Sequence, residues 1–345
     1  MSFSTQPNVE RKILSILKVL SGLQKPAGSV IIAKHLKEHG VDLSERAVRY
    51  HLRLTDERGL TQLVRDRDGR IITEKGLREI DSALVNDKVG FAISRIEQLA
   101  FRTNFDLENQ TGEVPVNLSF FPEAKFAEAL KIMEPVFEKG YCVSNLVKIA
   151  LPGESLGTHL VPPGHIGLAT VCSIITNGAL LKAGVPMDSR FGGILQLENN
   201  RPVRFTEIIH YQGCSLDPSE IFIKARMTSV RKTASGGSGE ILANFREIPS
   251  ICQPTAYNVI SKLRRARLNG VLTIGDTSES VCEVNVDLNK IGIVLVGGLN
   301  PVAAAAEAGI EAENHSMSTL MDYGVLKDYR EEIDETSKNH PLPGY

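Results

Sequence analysis

The sequence predicts an α+β protein, in which an N-terminal winged helix-turn-helix precedes an α/β-layered domain with an internal duplication. Two observations support this fold class. Four helical patterns and a β-hairpin pattern fill the first 86 residues, and short segments recur 125 residues apart later in the chain. The predicted parts are 1–86, the winged helix; 87–112, a connecting helix and linker; 113–330, two similar βα halves; and 331–345, a disordered tail.

The composition is typical of a soluble globular protein, since 42% of the 345 residues are hydrophobic and 23% are charged. No apolar run reaches the roughly 18 residues of a membrane span, and the N-terminus lacks a signal-peptide pattern. We therefore expect a cytoplasmic protein. The five cysteines form no CxxC pair, so we expect reduced thiols, no metal site and no cofactor.

The charges are unevenly distributed along the chain. Residues 1–88 hold 16 Lys or Arg against 12 Asp or Glu, whereas the rest of the chain holds 23 against 29. The front of the chain is therefore basic and the remainder acidic, although the net charge is only −2. Because phosphates attract basic surfaces, any nucleic acid is expected to bind the first part of the chain.

The first helices are predicted from apolar positions at helical spacing. Residues 9–20 carry one apolar stripe, Ser29 begins a second helix, and Gly40 ends it. A turn at 41–43 leads into a third helix at 44–58, which Ser44 can cap. A tight turn between the second and third helices is the helix-turn-helix arrangement.

The third helix is predicted to be amphipathic, with a basic outer face. Val48 and Leu52 fall on the opposite face, where they can pack against a core. A helix of this kind is suited to bind an anionic partner, and an ordinary solvated basic surface is the alternative. The residues on the basic face are Arg46, Arg49, Tyr50 and Arg53.

A β-hairpin pattern follows the third helix. The Asp68-Gly69 turn separates two β-prone runs, and Thr73 begins a fourth helix. This is the order of a winged helix, which places its third helix in the major groove of double-stranded DNA and its wing over the phosphates. The cations predicted at the tip of the wing are Arg65, Arg67 and Arg70.

Two segments of the larger domain recur at a spacing of 125 residues. Residues 166–168 (Ile-Gly-Leu) return at 291–293 (Ile-Gly-Ile), and 183–185 (Ala-Gly-Val) return at 308–310 (Ala-Gly-Ile). The two halves are therefore expected to pack about a pseudo-twofold axis with a cleft between them. The same spacing aligns two aromatic residues, Phe120 and Phe245.

The strongest ligand signal is the turn after the apolar strand at 291–296. Its glycines allow close backbone approach, Asn300 is expected to cap the next helix, and free N–H groups at a helix start favour an anion. Close packing of helix on sheet is the alternative explanation for the glycines. The residues predicted to bind a small anionic effector are Gly297, Gly298, Asn300, Arg190 and, in the analogous turn of the first half, Asn177.

Two stretches resemble known families. About 80 N-terminal residues resemble the winged-helix domain of ribonuclease R, through 46–52, 57–60 and 68–77. Residues 114–323 resemble the regulatory domain of the nitrogen-regulatory repressor (NrpR) family of methanogenic archaea. The motifs that carry this second resemblance are PPGHIG at 162–167, RFGG at 190–193, YQGCSLDP at 211–218 and GGLNP at 297–301.

The resemblance to the repressor family implies a function. It implies a transcriptional repressor in nitrogen regulation that binds operator DNA as a homodimer. It also implies allosteric release of the DNA when 2-oxoglutarate binds the regulatory domain. Several family members carry two regulatory domains, and this chain has room for one.

Two other functions compete with a DNA-binding regulator. The first is an enzyme acting on a small keto acid or nucleotide, with the winged helix as a recruiting arm. The chain lacks the phosphate-loop, dinucleotide, metalloprotease and serine-hydrolase motifs that would support it. The second is RNA binding, but Tyr50 is the one aromatic residue on the basic face, whereas RNA-binding modules stack bases on several. The sequence therefore predicts a regulator and not an enzyme.

Overall fold

The computed structural model describes residues 7–23, 25–38, 41–65, 69–82, 90–157 and 159–339. The chain forms two compact units, Met1–Val89 and Gly90–Tyr345. Across the described ranges, no helix is both long enough and apolar enough to cross a membrane.

The first unit is a winged helix, as predicted. Its helices enclose an apolar core because each contributes one apolar stripe; Ile16, Leu20, Leu36, Val48 and Leu52 are buried together. In chain order the described elements are α1 (Pro7–Leu23), α2 (Ser29–Glu38), α3 (Glu45–Glu57), β1 (Thr61–Arg65), β2 (Gly69–Ile72) and α4 (Glu74–Ser82).

The wing is attached to the loop between α1 and α2. Strand β2 pairs with Ala27 through two backbone hydrogen bonds of 3.0 Å, from Ala27 N to Arg70 O and from Arg70 N to Ala27 O. Gly69 has a φ of +95°, and a Cβ at this position would lie 2.3 Å from the Ala27 carbonyl carbon. Only glycine allows this close crossing, which fixes the base of the wing.

The second unit repeats one βαββαβ pattern after an initial helix. In chain order its elements are α5 (Phe91–Arg102), β3 (Glu113–Pro122), α6 (Glu123–Glu138), β4 (Leu146–Ala150), β5 (Ser155–Leu156), β6 (His159–Leu160), β7 (His165–Val171), α7 (Ile174–Lys182), β8 (Asp188–Glu198), β9 (Arg201–His210), α8 (Pro218–Lys224), α9 (Val230–Gly236), β10 (Gly239–Pro249), α10 (Gln253–Arg265), β11 (Val271–Ile274), β12 (Lys290–Val296), α11 (Asn300–Glu307), β13 (Glu313–Asp322), β14 (Lys327–Asp328) and α12 (Tyr329–Asn339).

The two halves exchange their last strands. One sheet has the order β13-β3-β7-β4-β14, and the other has the order β11-β12-β10-β8-β9. Strand β13 of the second half therefore lies beside β3 of the first, and β8 of the first lies beside β10 of the second. The repeated order of elements confirms the predicted duplication. The predicted alignment of Phe120 with Phe245 is wrong, because Phe120 lies opposite Gly167 whereas Glu247 lies opposite Gly292.

One apolar core runs through both halves of the second unit. Helix α6 packs against α11 of the other half, and α7 packs against α10. Phe121, Phe126, Phe245 and Val294 belong to a single buried cluster. Because both sheets and both helix pairs combine the two halves, neither half has a core of its own.

The end of the chain differs from the prediction of a disordered tail from residue 331. Helix α12 extends to Asn339, and its Glu332 and Ile333 are buried. Glu332 Oε1 accepts hydrogen bonds from Lys148 Nζ at 2.7 Å and from Ile149 N at 2.9 Å, which holds the helix on β4. The helix is polar in sequence, yet it buries Glu332 by pairing one of its carboxylate oxygens with a cation and a backbone N–H. Residues 340–345 lie outside the described ranges.

Asn300 has a packing role that the sequence did not predict. It is the first residue of α11 and not its cap, which is Leu299. Its side chain turns toward β10, where Oδ1 accepts from Leu242 N at 2.8 Å and Nδ2 donates to Leu242 O at 3.0 Å. The amide therefore extends the sheet beyond the end of β12.

Replacing Asn300 tests this role. Asn300→Ala should lower the free energy of unfolding by about 2 kcal/mol, because the buried Leu242 N–H loses its acceptor. The matched control is Asn258→Ala on the exposed side of α10, which should change it by less than about 0.5 kcal/mol. Urea unfolding followed by circular dichroism measures both. Equal losses in the two variants would contradict the packing role.

Candidate nucleic-acid interface and anion pocket

Helix α3 presents its basic face to solvent. Arg46, Arg49, Tyr50 and Arg53 are all exposed, with Tyr50 61% accessible. Arg53 keeps 81% of its side chain accessible although its Nε lies 3.2 Å from Glu57 Oε1, and Arg49 pairs with a glutamate one turn earlier. Exposed pairs within one helix contribute little energy, so these guanidinium groups are available to another anion.

The opposite face of α3 fixes the helix in the first unit. Val48 and Leu52 are completely buried, and His51 is nearly so. Burial lowers the pKa of His51, and the charge of Lys12 lowers it further, so the imidazole is neutral near pH 7. The helix therefore separates an uncharged inner face from a cationic outer face.

The end of α3 is tied to the wing by Asp56. Its Oδ1 accepts from Thr61 Oγ1 and its Oδ2 accepts from Arg70 Nε, both at 2.6 Å. Arg70 is therefore held at the base of the wing with 21% of its side chain exposed, and not at the tip as predicted. Of the other two predicted wing cations, Arg67 and the side chain of Arg65 lie outside the described residues.

The sequence also contains two lysines on α2 that were not predicted to take part. Lys34 and Lys37 are exposed one turn apart on the outer side of α2. In helix-turn-helix proteins this first helix crosses the DNA backbone, where lysines contact phosphates. The available signal in the sequence was the helical spacing of the apolar residues Ile32 and Leu36. These two residues are buried, so their positions define which side of α2 faces solvent.

A buried cation lies where the two halves of the second unit meet. Arg246 in β10 is 1% exposed, and its guanidinium carbon lies 4.8 Å from the centre of the Tyr211 ring. Its Nη1 donates to Phe245 O at 3.3 Å, while Nε has no partner in the described part of the chain. None of the ion pairs among the described residues includes Arg246. Burying such a guanidinium costs several kcal/mol, so the site favours an anion.

Polar groups from both halves surround Arg246. They line a cavity of about 20 Å³, which has room for about one water molecule. Ser173 comes from the start of α7 and Gly298 from the start of α11, and N–H groups at helix starts favour negative charge. Asn117 and Asn244 occupy equivalent positions, since they lie opposite residues 125 apart in β7 and β12. We call this cavity the Arg246 pocket.

Gly298 brings the start of α11 into contact with the first half. A Cβ at Gly298 would lie 2.6 Å from Val171 O and 2.7 Å from Asn117 Nδ2. A larger residue would separate the two halves at the pocket. The close packing of the halves therefore requires glycine here, in addition to the approach of a ligand to the backbone that glycine allows.

Asp217 is the one carboxylate among the described residues that line the Arg246 pocket. Burial, together with the charge of Glu220, raises its pKa to about 6. The carboxylate caps α8 by accepting from Ser219 N at 2.6 Å, so it is directed toward that helix. As the pH falls through about 6, Asp217 gains a proton and the pocket becomes more positive.

The predicted effector residues do not form one site. Gly298 lines the Arg246 pocket, whereas Gly297 and Asn300 pack against Leu242. Asn177 lies inside α7 and not in the turn before it, and it is buried with its Nδ2 donating to Ser189 Oγ at 3.0 Å.

Arg190 lies with Asn177 along a separate cleft of about 690 Å³ between α5 and β8. Its Nη1 lies 3.3 Å from carboxylate oxygens of both Asp188 and Asp287 and 3.6 Å from Glu247. Three carboxylates neutralise this arginine, so its charge attracts a small anion much less strongly than the charge of Arg246 does.

Arg246 was missed by sequence reasoning. A strand buried on both faces reads as a continuous apolar run, and Arg246-Glu247 interrupts such a run in β10. Glu247 is neutralised by Lys290 Nζ at 3.0 Å, which leaves Arg246 as the uncompensated charge. A charged pair inside an apolar strand was therefore the available signal.

Comparison with known proteins agrees with this arrangement. Residues 89–328 match the family described as NrpR regulatory domains NRD1 and 2, and residues 14–80 match the ribonuclease R winged-helix domain. A solved nitrogen repressor-like protein from Methanococcus jannaschii is 27% identical, with a TM-score of 0.58, over 69% of this chain and 98% of that one.

Relatives named as global nitrogen regulators are similar over nearly the whole chain. The global nitrogen regulator NrpRI of Methanosarcina mazei is 42% identical over 93% of this chain and 99% of its own length. The regulator NrpR of Methanococcus maripaludis is 33% identical over 93% of this chain, and that of Methanocaldococcus jannaschii is 32% identical over 91%. This chain spans about half of these two longer relatives, 55% and 54%.

The winged helix and the match to a regulatory domain define a transcription regulator. The chain belongs to the NrpR family of nitrogen regulators. The prediction of a regulator and not an enzyme is confirmed by this membership.

The Asp56 contacts at the wing can be tested separately from DNA binding. Asp56→Asn should speed amide hydrogen exchange in β1 and β2 about tenfold, because weaker hydrogen bonds to Thr61 and Arg70 lower local stability by about 1.4 kcal/mol. Glu57→Gln is the matched control, since among the described residues Glu57 forms an ion pair with exposed Arg53 alone, and exchange should stay native. Native exchange rates in Asp56→Asn would show that the Asp56 contacts do not stabilise the wing.

Proposed function

We propose that this protein represses nitrogen-regulated genes by holding operator DNA with α3, and releases the DNA when 2-oxoglutarate enters the Arg246 pocket. In this proposal it acts in the cytoplasm as a homodimer, so that two α3 helices meet two half-sites of the operator. The observation that carries the DNA half of the proposal is the exposed cationic face of α3.

The size of that face suits a major groove. Arg46 to Arg53 spans seven helical steps, which is about 10 Å at 1.5 Å per residue. This length corresponds to about three base pairs, the number that a recognition helix commonly reads. The arginines are suited to guanine edges and phosphates, and Tyr50 adds an aromatic contact. Lys34, Lys37 and the wing cations Arg65 and Arg67 would then lie over phosphates.

The effector half of the proposal depends on Arg246. A carboxylate of 2-oxoglutarate can make a bidentate pair with its guanidinium and supply the missing partner of Nε. The remaining oxygens of the ligand can accept from Asn117, Asn244 and the N–H groups at the starts of α7 and α11. These groups come from both halves, which suits a ligand with two anionic ends.

Binding must also change the shape of the second unit. The Arg246 pocket holds about one water, so a five-carbon dicarboxylate has to push its walls apart. A tenfold to hundredfold loss of DNA affinity requires a coupling free energy of about 1.4–2.8 kcal/mol. The relief of an uncompensated buried charge is large enough to supply it.

The DNA contacts are tested by charge removal. Arg46→Gln, Arg49→Gln and Arg53→Gln combined should weaken binding at least about 100-fold, since each lost contact costs about 1–3 kcal/mol. The salt dependence should also become shallower. Fluorescence anisotropy with a duplex that the native protein selects from a random library measures both.

The matched control for this experiment removes three exposed arginines from the second unit, namely Arg231, Arg264 and Arg265. This control should bind DNA as the native protein does. If both triple variants lose the same affinity, net charge and not the α3 face is responsible.

The effector site is tested by Arg246→Met. The variant should fold at least as stably as the native protein, because an apolar side chain of similar length replaces a buried unpaired charge. It should bind DNA normally but fail to release it in millimolar 2-oxoglutarate. Arg264→Met, on the exposed side of α10, is the control and should release DNA as the native protein does. Normal release of DNA by Arg246→Met would show that the effector binds at a different site.

A further inference from the structure

Strand β13 is distorted where it forms a wall of the Arg246 pocket. Its pairing with β3 is interrupted between His315 and Thr319, so that three residues, 316–318, stand opposite Asn117 alone. Met317, in the middle, has a φ of +48°, a left-handed conformation that L residues rarely adopt. We call residues 316–318 the β13 bulge.

The fold itself does not require a distortion of this kind. The corresponding strand of the first half, β8, pairs with β10 in register from Leu197 to Phe191, and one extra residue, Arg190, interrupts the register just beyond. A three-residue bulge with a left-handed residue at its centre is therefore specific to the second half. Strained backbone persists only where the surroundings hold it, and it is concentrated at functional sites.

The β13 bulge is held from three directions. Asn117 Oδ1 of β3 accepts from Met317 N at 3.0 Å, and Glu220 Oε1 of α8 accepts from Ser316 N at 2.7 Å. On the other side, Arg95 of α5 donates from Nε to Met317 O at 2.9 Å and from Nη2 to Ser318 O. Asn117 lines the Arg246 pocket and Glu220 follows the lining residue Ser219, whereas Arg95 belongs to a helix outside the lining.

Arg95 connects the pocket wall to the point where the chain enters the second unit. Helix α5 begins at Phe91, directly after the first unit in the sequence. Its buried side packs on the pocket residues Tyr211, Ile174 and Met317. Any movement of these residues must therefore move α5 or break its contacts. None of the ion pairs among the described residues includes Arg95, so the two carbonyl groups are its main polar partners.

We propose that Arg95 is a positioning residue for the regulatory response: it holds the β13 bulge in the DNA-competent arrangement, and an occupant of the Arg246 pocket acts on α5 by breaking this hold. The inference rests on the proposed function. It states how the signal leaves the pocket, and it assigns the strained Met317 as the part that changes conformation.

Thermodynamic linkage requires that loss of Arg95 change the affinities for DNA and for the effector in opposite directions. If Arg95 favours the DNA-competent arrangement, its removal must shift the equilibrium toward the effector-binding arrangement. Arg95→Met should then bind DNA about tenfold more weakly and 2-oxoglutarate about tenfold more tightly. A residue that only supports the fold would weaken both, so opposite changes distinguish positioning from structural damage.

Met317→Gly gives the opposite perturbation and covers the case in which Arg95→Met does not fold. Glycine adopts the positive φ without strain, so it favours the bulged arrangement. This variant should bind 2-oxoglutarate about threefold to tenfold more weakly while DNA binding stays at least native. The matched control is Arg102→Met, which removes an exposed arginine from the same helix and should leave both affinities unchanged.

The measurements are calorimetric titration of the full chain with 2-oxoglutarate and anisotropy with the selected duplex. Native affinities in Arg95→Met, or losses of both together, overturn the role of Arg95. Tighter effector binding by Met317→Gly overturns the role of the strained bulge. If the native protein itself does not respond to 2-oxoglutarate, the proposed function fails and this inference fails with it.

Discussion

The buried charge of Arg246 is the physical constraint on which the proposed response of the second unit depends. The guanidinium is almost completely buried and lines the Arg246 pocket, and the Tyr211 ring and one carbonyl group compensate its charge only in part. Such a site is stable because the large apolar core outweighs its cost. The same cost is the source of free energy that an entering carboxylate can release. An arginine that was already paired with a carboxylate would give a more stable protein, but a ligand would then gain no free energy by pairing with it.

The exchange of β8 and β13 between the halves explains why this charge lies at the centre. Each sheet contains strands of both halves, so the starts of α7 and α11 converge on one small volume. Asn117 and Asn244 reach it from equivalent positions, yet the two sides are not identical. The second half contributes both Arg246 and the strained β13 bulge, and the first half faces them with Asn117. The duplicated fold brings the two helix starts together, and the residues that differ between the two copies complete the Arg246 pocket.

Local patterns in the sequence were sufficient for the first unit. The spacing of Arg46, Arg49 and Arg53 against Val48 and Leu52 gives the outer and inner faces of α3, because a helix has a fixed period. The turn at Asp68-Gly69 gives the wing in the same way. What these patterns could not give is the role of Arg70, since its partner Asp56 is distant in sequence and close only in the folded unit.

The second unit shows where such reasoning stops. Asn300 has the residue type of a helix cap, but a neighbouring strand offers its amide two better partners. Arg190 looks like a free cation until Asp188, Glu247 and Asp287 are brought beside it. Glu332 looks solvated until α12 docks on β4. In each case the partner lies far along the chain, so only the tertiary structure decides between ligand contact and packing.

Strand exchange also has a consequence for how the chain reaches its native state. Glu113, at the beginning of β3, pairs with Asp322, at the end of β13, so this sheet edge stays open until β13 has left the ribosome. Pairing over such a loop is slow, and an open apolar edge invites aggregation. Shortened chains that stop before β13 should therefore depend on chaperones, and newly made protein should be vulnerable to aggregation until β13 has been synthesised.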